Sequence, residues 1–542
     1  MTVPISAIWS IISAAPQAAH RRGSYCSRRL RRGSFVIAAA LGVLAVACGS
    51  GAAQTPLPTG TLTVETTPEP TPLPQMRYET IASPYDVPLG RLVECGYLTV
   101  PENRSDPDSR NIRLAVAVVQ SDSPNPKPDP IVYLSGGPGG SALKMAPFAF
   151  EGMFSPFVAG RDLILFDQRG VGRSEPALDC EESNAAYRKA VEQDIKRQEL
   201  AAMMTEAIDT CHDRLARRGI DLSAYTSAES AADLNDLRQA LGYEQWNLFG
   251  ISYGTRLALT AMRDYPEGIR SVILDSTYPP QVDLYSELLP NARRAFDEFF
   301  GGCRADPVCS TAYPDLETVF FDLVKQLDAQ PAALSVWNPA TDVTIEAQMN
   351  GDLLLGALFQ ALYSTWTIPY LPATIYEASE GDLEVLTPLL GDLFFTRDFI
   401  SIEMHYSVQC QEEVPFSSPE RVAAAAQAHP RIRAMFDSEA TFDICQSWGA
   451  VQPDPKENQP VRSDIPTLVL AGEYDPITPP SWGRLAAKNL PRGFFFEFPG
   501  VGHGASVSGE PCPLGIALAF LNAPTASPDA SCIDGMTGPY FY

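Results

Sequence analysis

The chain is 542 residues long, 45% hydrophobic and 19% charged, which excludes a disordered chain and is too large for one simple core. Its formal net charge is −25, and the first 47 residues hold six arginines and no acid, so the remainder is more acidic still. Such a body repels phosphates, which excludes nucleic acid as a partner.

The N-terminus reads as a targeting segment. Arg28 to Arg32 form a basic stretch, and Phe35 to Ala47 form an apolar run of 13 residues, too short to span a bilayer comfortably. The run closes on Leu44-Ala45-Val46-Ala47-Cys48. Small residues before a cysteine resemble a bacterial lipobox, which makes Cys48 the lipidated first residue of an exported protein tethered to the membrane. The alternative is ordinary cleavage after Ala-Val-Ala and a secreted product. Residues 48–77, with Thr66-Thr67-Pro68-Glu69-Pro70-Thr71-Pro72, cannot bury a core and read as a tether.

Apolar strand-like runs follow at Leu92–Val100, Ile112–Val119, Ile131–Leu134 and Leu163–Phe166. Residues 182–218 turn helical and charged, and Ala231–Leu241 is a further helix. Strands are expected at Trp246–Phe249 and at Ile269–Leu274, the latter ending on Asp275. From about 279 to 460 the pattern is mostly helical. Alternation returns at Thr467–Leu470 and Phe494–Phe498. The expected architecture is α/β, a mostly parallel sheet with helices on both faces and a large helical cap insertion. Its parts are a first core segment at 78–278, the cap at 279–462 and a second core segment at 463–542.

Eleven cysteines fit an oxidising compartment. With Cys26 and Cys48 set aside, Cys303–Cys309 and Cys512–Cys532 are local pairs. Cys180–Cys211 and Cys410–Cys445 are further pairings, and Cys95 is left over. No C-x-x-C or H-E-x-x-H occurs, so neither a metal nor another cofactor is expected.

Gly250-Ile251-Ser252-Tyr253-Gly254 lies between a strand and a helix. It reads as a nucleophile elbow, which lifts the Ser252 hydroxyl above a sheet. A serine needs a base and a group to orient that base. Asp475 and His503 follow the last two strands, in the chain order such a site requires. Asp275 is the rival acid. His212, His405 and His429 read as ordinary. The glycine loop Ser135-Gly136-Gly137-Pro138-Gly139-Gly140-Ser141 follows a strand. Its Gly136–Gly137 N–H groups, with that of Tyr253, are the candidate oxyanion donors. Gly137-x-Gly139-x-x-Ala142 mimics a dinucleotide fingerprint, but no acid ends a second strand about 20 residues on. Ser141-Ala142-Leu143-Lys144 mimics S-x-x-K, but no S-D-N or K-T-G follows.

Ser135 to Gly140, Asp167-Gln168-Arg169-Gly170, the elbow, and the Asp475 and His503 loops together resemble the proline iminopeptidase and tripeptidyl aminopeptidase family of serine exopeptidases. The resemblance covers residues 78–278 and 463–542. It departs at Ser135, where the family often has His or Asn. It implies an α/β-hydrolase fold and an acyl-enzyme route that removes residues or short peptides from substrates with a free N-terminus. It also implies acids that grip the substrate amine, for which Glu412 and Glu413 are the candidates; the alternative is a solvated pair. Two rival functions stay open: an esterase or other hydrolase on a non-peptide, and a tethered binding protein on an inactive scaffold.

Overall fold

The computed structural model describes residues 77–82, 90–338, 341–436, 438–448 and 453–542. The signal segment, Cys48 and nearly all of the tether lie outside the described residues. Nine strands form one sheet. They are β1 (Arg77–Ile81), β2 (Val93–Pro101), β3 (Asn111–Val119), β4 (Ile131–Leu134), β5 (Leu163–Phe166), β6 (Trp246–Ile251), β7 (Ile269–Asp275), β10 (Thr467–Gly472) and β11 (Gly493–Phe498). Their spatial order is β1-β2-β3-β5-β4-β6-β7-β10-β11. The β1, β2, β3 and β5 contacts are antiparallel, and every contact from β5 to β11 is parallel.

The parallel strands β4, β5, β6 and β10 are buried along their whole length, which is why they read as unbroken apolar runs. Their residues alternate between two cores. Leu163, Leu165, Phe249 and Ile251 join Phe154, Ile516 and Phe520 on one face. Ile164, Phe166, Trp246 and Leu248 join Leu237, Leu257 and Met262 on the other.

Between β7 and β10 the chain leaves the sheet and builds a cap. Its helices include Leu284–Ala305, Leu316–Ala329, Gly351–Ala361 and Thr387–Asp398. An aromatic knot of Phe296, Phe299, Phe300 and Phe320 fills its centre. The cap also holds an antiparallel hairpin that was not expected, β8 (Ala332–Asn338) with β9 (Val343–Met349). Its cause is in the sequence: Leu334 and Val336 are buried while Ser335 and Trp337 are exposed, a period of two. The earlier helices Glu181–Gln193 and Arg197–Arg217 contribute to this layer as well. Val191 joins the cap core, Tyr187 meets Phe394 edge-on, and Asn350 Nδ2 donates to Asp194 Oδ1 at 2.8 Å.

Disulfides join Cys303–Cys309, Cys410–Cys445 and Cys512–Cys532. The expected Cys180–Cys211 bond is absent; both remain thiols. The Arg214 guanidinium donates to Cys211 Sγ at 3.0 Å and to both oxygens of Glu182, so it holds this corner together without a bond between the sulfurs. Cys95 is a buried thiol. Among the described residues no helix is long and apolar enough to cross a membrane.

Candidate active site

Ser252 sits between the end of β6 and the helix Tyr253–Asp264. Its backbone is at φ 58° and ψ −128°. For a residue with a Cβ that conformation costs about 1–3 kcal/mol. The surroundings hold it there. Ser252 N donates to the Asp275 carbonyl at 3.1 Å, and Thr255 Oγ1 donates to the Ser252 carbonyl at 2.6 Å. The flanking glycines are demanded by close approach. A Cβ on Gly254 would lie 2.0 Å from the Leu134 carbonyl oxygen, and one on Gly250 would lie 2.4 Å from that of Gly254.

Asp475 and His503 arrive on the loops after β10 and β11. His503 Nδ1 lies 2.9 Å from Asp475 Oδ2. Asp475 is fully buried and accepts from Ile477 N at 3.0 Å, Thr478 N at 2.9 Å and Thr478 Oγ1 at 2.7 Å. Burial alone would raise its carboxyl, but the His503 charge and these donors hold it below the usual range. Burial alone would lower the His503 imidazole, but the Asp475 carboxylate raises it. The ring lies against Tyr363, with centroids 4.7 Å apart, and His503 N donates to the Tyr363 carbonyl at 2.9 Å. Asp275, the rival acid, is otherwise engaged. It accepts from Ala505 N, Ser506 N and Ser506 Oγ, and so pins the loop just beyond His503. Burial pushes its carboxyl up to about 6.

The glycine loop lies over the elbow. A Cβ on Gly136 would come within 3.0 Å of Ser252 Cβ and 3.5 Å of its Oγ. Gly137 and Gly139 take φ of 114° and 94°, which only glycine adopts freely. Asp167-Gln168-Arg169 braces the loop from below. Ser141 Oγ and Leu143 N donate to Asp167, Gln168 Nε2 donates to the Ser135 carbonyl at 3.1 Å, and the buried Arg169 pairs with Asp233. Ser141 caps the following helix by accepting from Lys144 N, while Lys144 Nζ reaches Asp179 instead. The S-x-x-K look-alike is therefore a helix cap.

Ser252 opens into a cavity of about 720 Å³ between sheet and cap. Gly137, Tyr278, Tyr285, Tyr363, His405, Thr478 and Trp482 share its wall. Asp328 and Asp352 line it too, with Lys196 and Arg197. Among the described residues the group with metal-ligand spacing is Cys180, Glu182 and Cys211, and these do not line the cavity.

Residues 129–351 match the model of the α/β hydrolase fold family, and residues 433–532 match that of the TAP-like protein family. The chain is 26% identical to serine protease Hip1 of Mycobacterium tuberculosis over 469 residues, which is 82% of this chain and 88% of the relative. It is 30% identical to a tripeptidyl aminopeptidase of Streptomyces coelicolor over 215 residues, 38% of each chain. The chain is an α/β-hydrolase of the serine-peptidase kind. A third relative, carboxylesterase B of Mycobacterium tuberculosis, is 26% identical over 454 residues, 78% of this chain and 82% of the relative.

In this hydrolase Glu412 and Glu413 are neither solvated nor on the cavity wall. Both are nearly fully buried beside Arg256 of the elbow helix. Glu413 Oε1 lies 2.6 Å from Arg256 Nη1. Glu412 accepts from Ser227 N and Ser227 Oγ at 2.5 and 2.6 Å, at the first residue of the helix Ser227–Leu241 that Thr226 caps. The reason is electrostatic. A guanidinium with no exposure needs carboxylates close by, and these two answer it. Burial pushes Glu413 up to about 7, against the pull of Arg256. Thr478 escaped the sequence reading. Its hydroxyl lies 3.2 Å from His503 Nδ1 as well as bonding Asp475, yet one threonine three residues after an aspartate carries no distinctive pattern.

Proposed function

We propose that this hydrolase is an exported serine aminopeptidase that cleaves N-terminal residues or short peptides through Ser252, His503 and Asp475. The observation that carries the reading is the 2.9 Å contact of His503 with a buried Asp475, on loops beside a strained elbow serine that faces a capped cavity. His503 takes the Ser252 proton as Oγ attacks the scissile carbonyl. Asp475 holds the imidazole in the tautomer with its free nitrogen toward the serine and stabilises the imidazolium. The N–H groups of Tyr253 and of Gly136–Gly137 take the oxyanion. His503 then protonates the leaving amine, and water releases the acyl group.

The cap supports exopeptidase action, since its residues wall the cavity of about 720 Å³ into which Ser252 opens. An α-ammonium group entering that cleft meets Asp328 and Asp352, in place of the buried Glu412 and Glu413. Export draws support from the basic and apolar N-terminal segment and from three disulfides. Lipidation at Cys48 would anchor the chain to the membrane. The likeness to a carboxylesterase favours ester hydrolysis as the second reading.

One experiment separates these. A fluorophosphonate should label Ser252, read by mass spectrometry of its peptide. A good peptide substrate should then lose cleavage on N-terminal acetylation. Continued cleavage of the acetylated peptide, or turnover of simple esters alone, would favour the esterase. A folded chain that takes no label would leave only a binding role.

A further inference from the structure

The Gly136–Gly140 turn is the least self-supporting part of the site. It has no side chains beyond Pro138, and two of its glycines are at positive φ. Within the turn one backbone hydrogen bond closes it, from Gly140 N to the Gly136 carbonyl at 3.1 Å. Oxyanion donors act only when aimed to within a few tenths of an ångström. Something else must hold this turn.

The cap does so. Ser401 N donates to the Gly139 carbonyl at 2.8 Å, and Ser141 N donates to the Phe399 carbonyl at 2.9 Å. Gly140 and Ile400 pair as an antiparallel bridge. The fit is tight enough that a Cβ on Gly139 would lie 2.4 Å from the Ser401 carbonyl oxygen. The cap segment is itself moored to the core, because Ser401 Oγ donates to Asp179 Oδ1 at 2.7 Å and accepts from Gly172 N at 3.4 Å. One turn further on, His405 stands on the cavity wall, and burial lowers its imidazole to about 4 against the smaller pull of the Pro138 carbonyl.

We propose that the cap completes the oxyanion hole: the segment Phe399 to Ser401, with Ser401 as its positioning residue, holds the glycine turn in the shape that presents its N–H groups to Ser252. The proposal rests on Ser252 being the nucleophile. It makes the cap part of the catalytic geometry as well as a lid over it.

The test uses the full chain with Ser401→Pro, Asp179→Ala and Ser401→Ala. Each variant is compared for kcat, for KM, for affinity toward a peptide aldehyde and for affinity toward the product peptide. The aldehyde is a probe of the hole. Ser252 Oγ bonds its carbonyl carbon, the C=O π pair moves to oxygen, and the Ser252 proton passes to His503. Ser401→Pro, which removes the N–H that bonds the Gly139 carbonyl, is expected to lower kcat about 10- to 100-fold, less than the loss of a whole donor. KM and product affinity should change less than about threefold, and aldehyde affinity should fall in step with kcat. Asp179→Ala, which removes the acceptor of the Ser401 hydroxyl, should lower kcat about as much as Ser401→Ala does. Ser401→Ala, which leaves the backbone pairing intact, should lower kcat about 3- to 10-fold. If Ser401→Pro does not fold, the other two variants still decide. Folded variants with unchanged kcat, or with equal losses of aldehyde and product affinity, overturn the proposal. A wild-type chain that takes no phosphonate at Ser252 overturns the catalytic reading, and this one with it.

Discussion

Thr478 Oγ1 stands 2.7 Å from Asp475 Oδ2 and 3.2 Å from His503 Nδ1, so one hydroxyl touches both members of the acid–base pair. It donates to the carboxylate, leaving the Nδ1–H of His503 to do the same. Thr478→Ala should therefore loosen the aspartate and lower kcat about tenfold with little change in KM, while Thr478→Ser should stay within about threefold of wild type. Steady-state kinetics on the two variants checks this. Equal losses in both would point to the methyl group, and so to packing.

Asp475→Asn should leave the fold intact and cost roughly 10⁴-fold in kcat, because the amide favours the wrong imidazole tautomer. The pH profile carries a sign. In the proposed mechanism His503 must be neutral to act as base, and the carboxylate holds its pKa above the ordinary 6.5. Wild-type kcat/KM should thus fall off on the acid side with a midpoint above 6.5, and the variant's midpoint should move down.

Stability should follow the same pair. Asp475 has a lowered folded pKa, so its contribution is present above about 3.8 and disappears as pH falls through the folded value. His503 has a raised one, so its contribution is complete below 6.5 and disappears as pH rises through the folded value. Both therefore act together between those two values. Urea titrations of wild type and Asp475→Asn should differ most inside that window, and the difference should vanish as pH falls through the folded Asp475 value.

Glu413→Ala should destabilise the protein by about 3–5 kcal/mol, since it strands the buried Arg256 without its nearest carboxylate. Wherever the variant is folded, its KM should stay near wild type. Asp352→Asn should do the reverse, with stability nearly unchanged and KM for free-amine peptides raised about tenfold through loss of a charge-assisted contact. Denaturant midpoints and kinetics on the two variants separate a structural acid from one that meets substrate.

Gly254→Ala should cost at least about 3 kcal/mol, because its methyl would press into the Leu134 carbonyl oxygen. Low soluble yield and a lowered melting temperature are the expected readouts. A well-folded, active variant would mean that the elbow can shift away from β4.

Much of this was written along the chain. Alternation and apolar runs marked β2 to β7, β10 and β11, because a strand buried on both faces has no choice but to be apolar. The glycines of the elbow and of the 136–140 turn announced tight backbone, since a side chain there has nowhere to go. Other features depended on which distant segments meet. Period-two patterning at Leu334 and Val336 was present but short, and it was lost among helical neighbours. Glu412 and Glu413 looked like free acids until Arg256 arrived from the elbow helix. Cys180 and Cys211 looked like a bond until Arg214 took up one sulfur. Identity and order of residues decided which groups were available and where the backbone had to bend sharply. Only tertiary structure decided which charge neutralises which, that Thr478 bridges the pair, and that Phe399 to Ser401 pair with the glycine turn. Electrostatic partnership and hydrogen bonding act through space over a few ångströms, and sequence distance does not measure that.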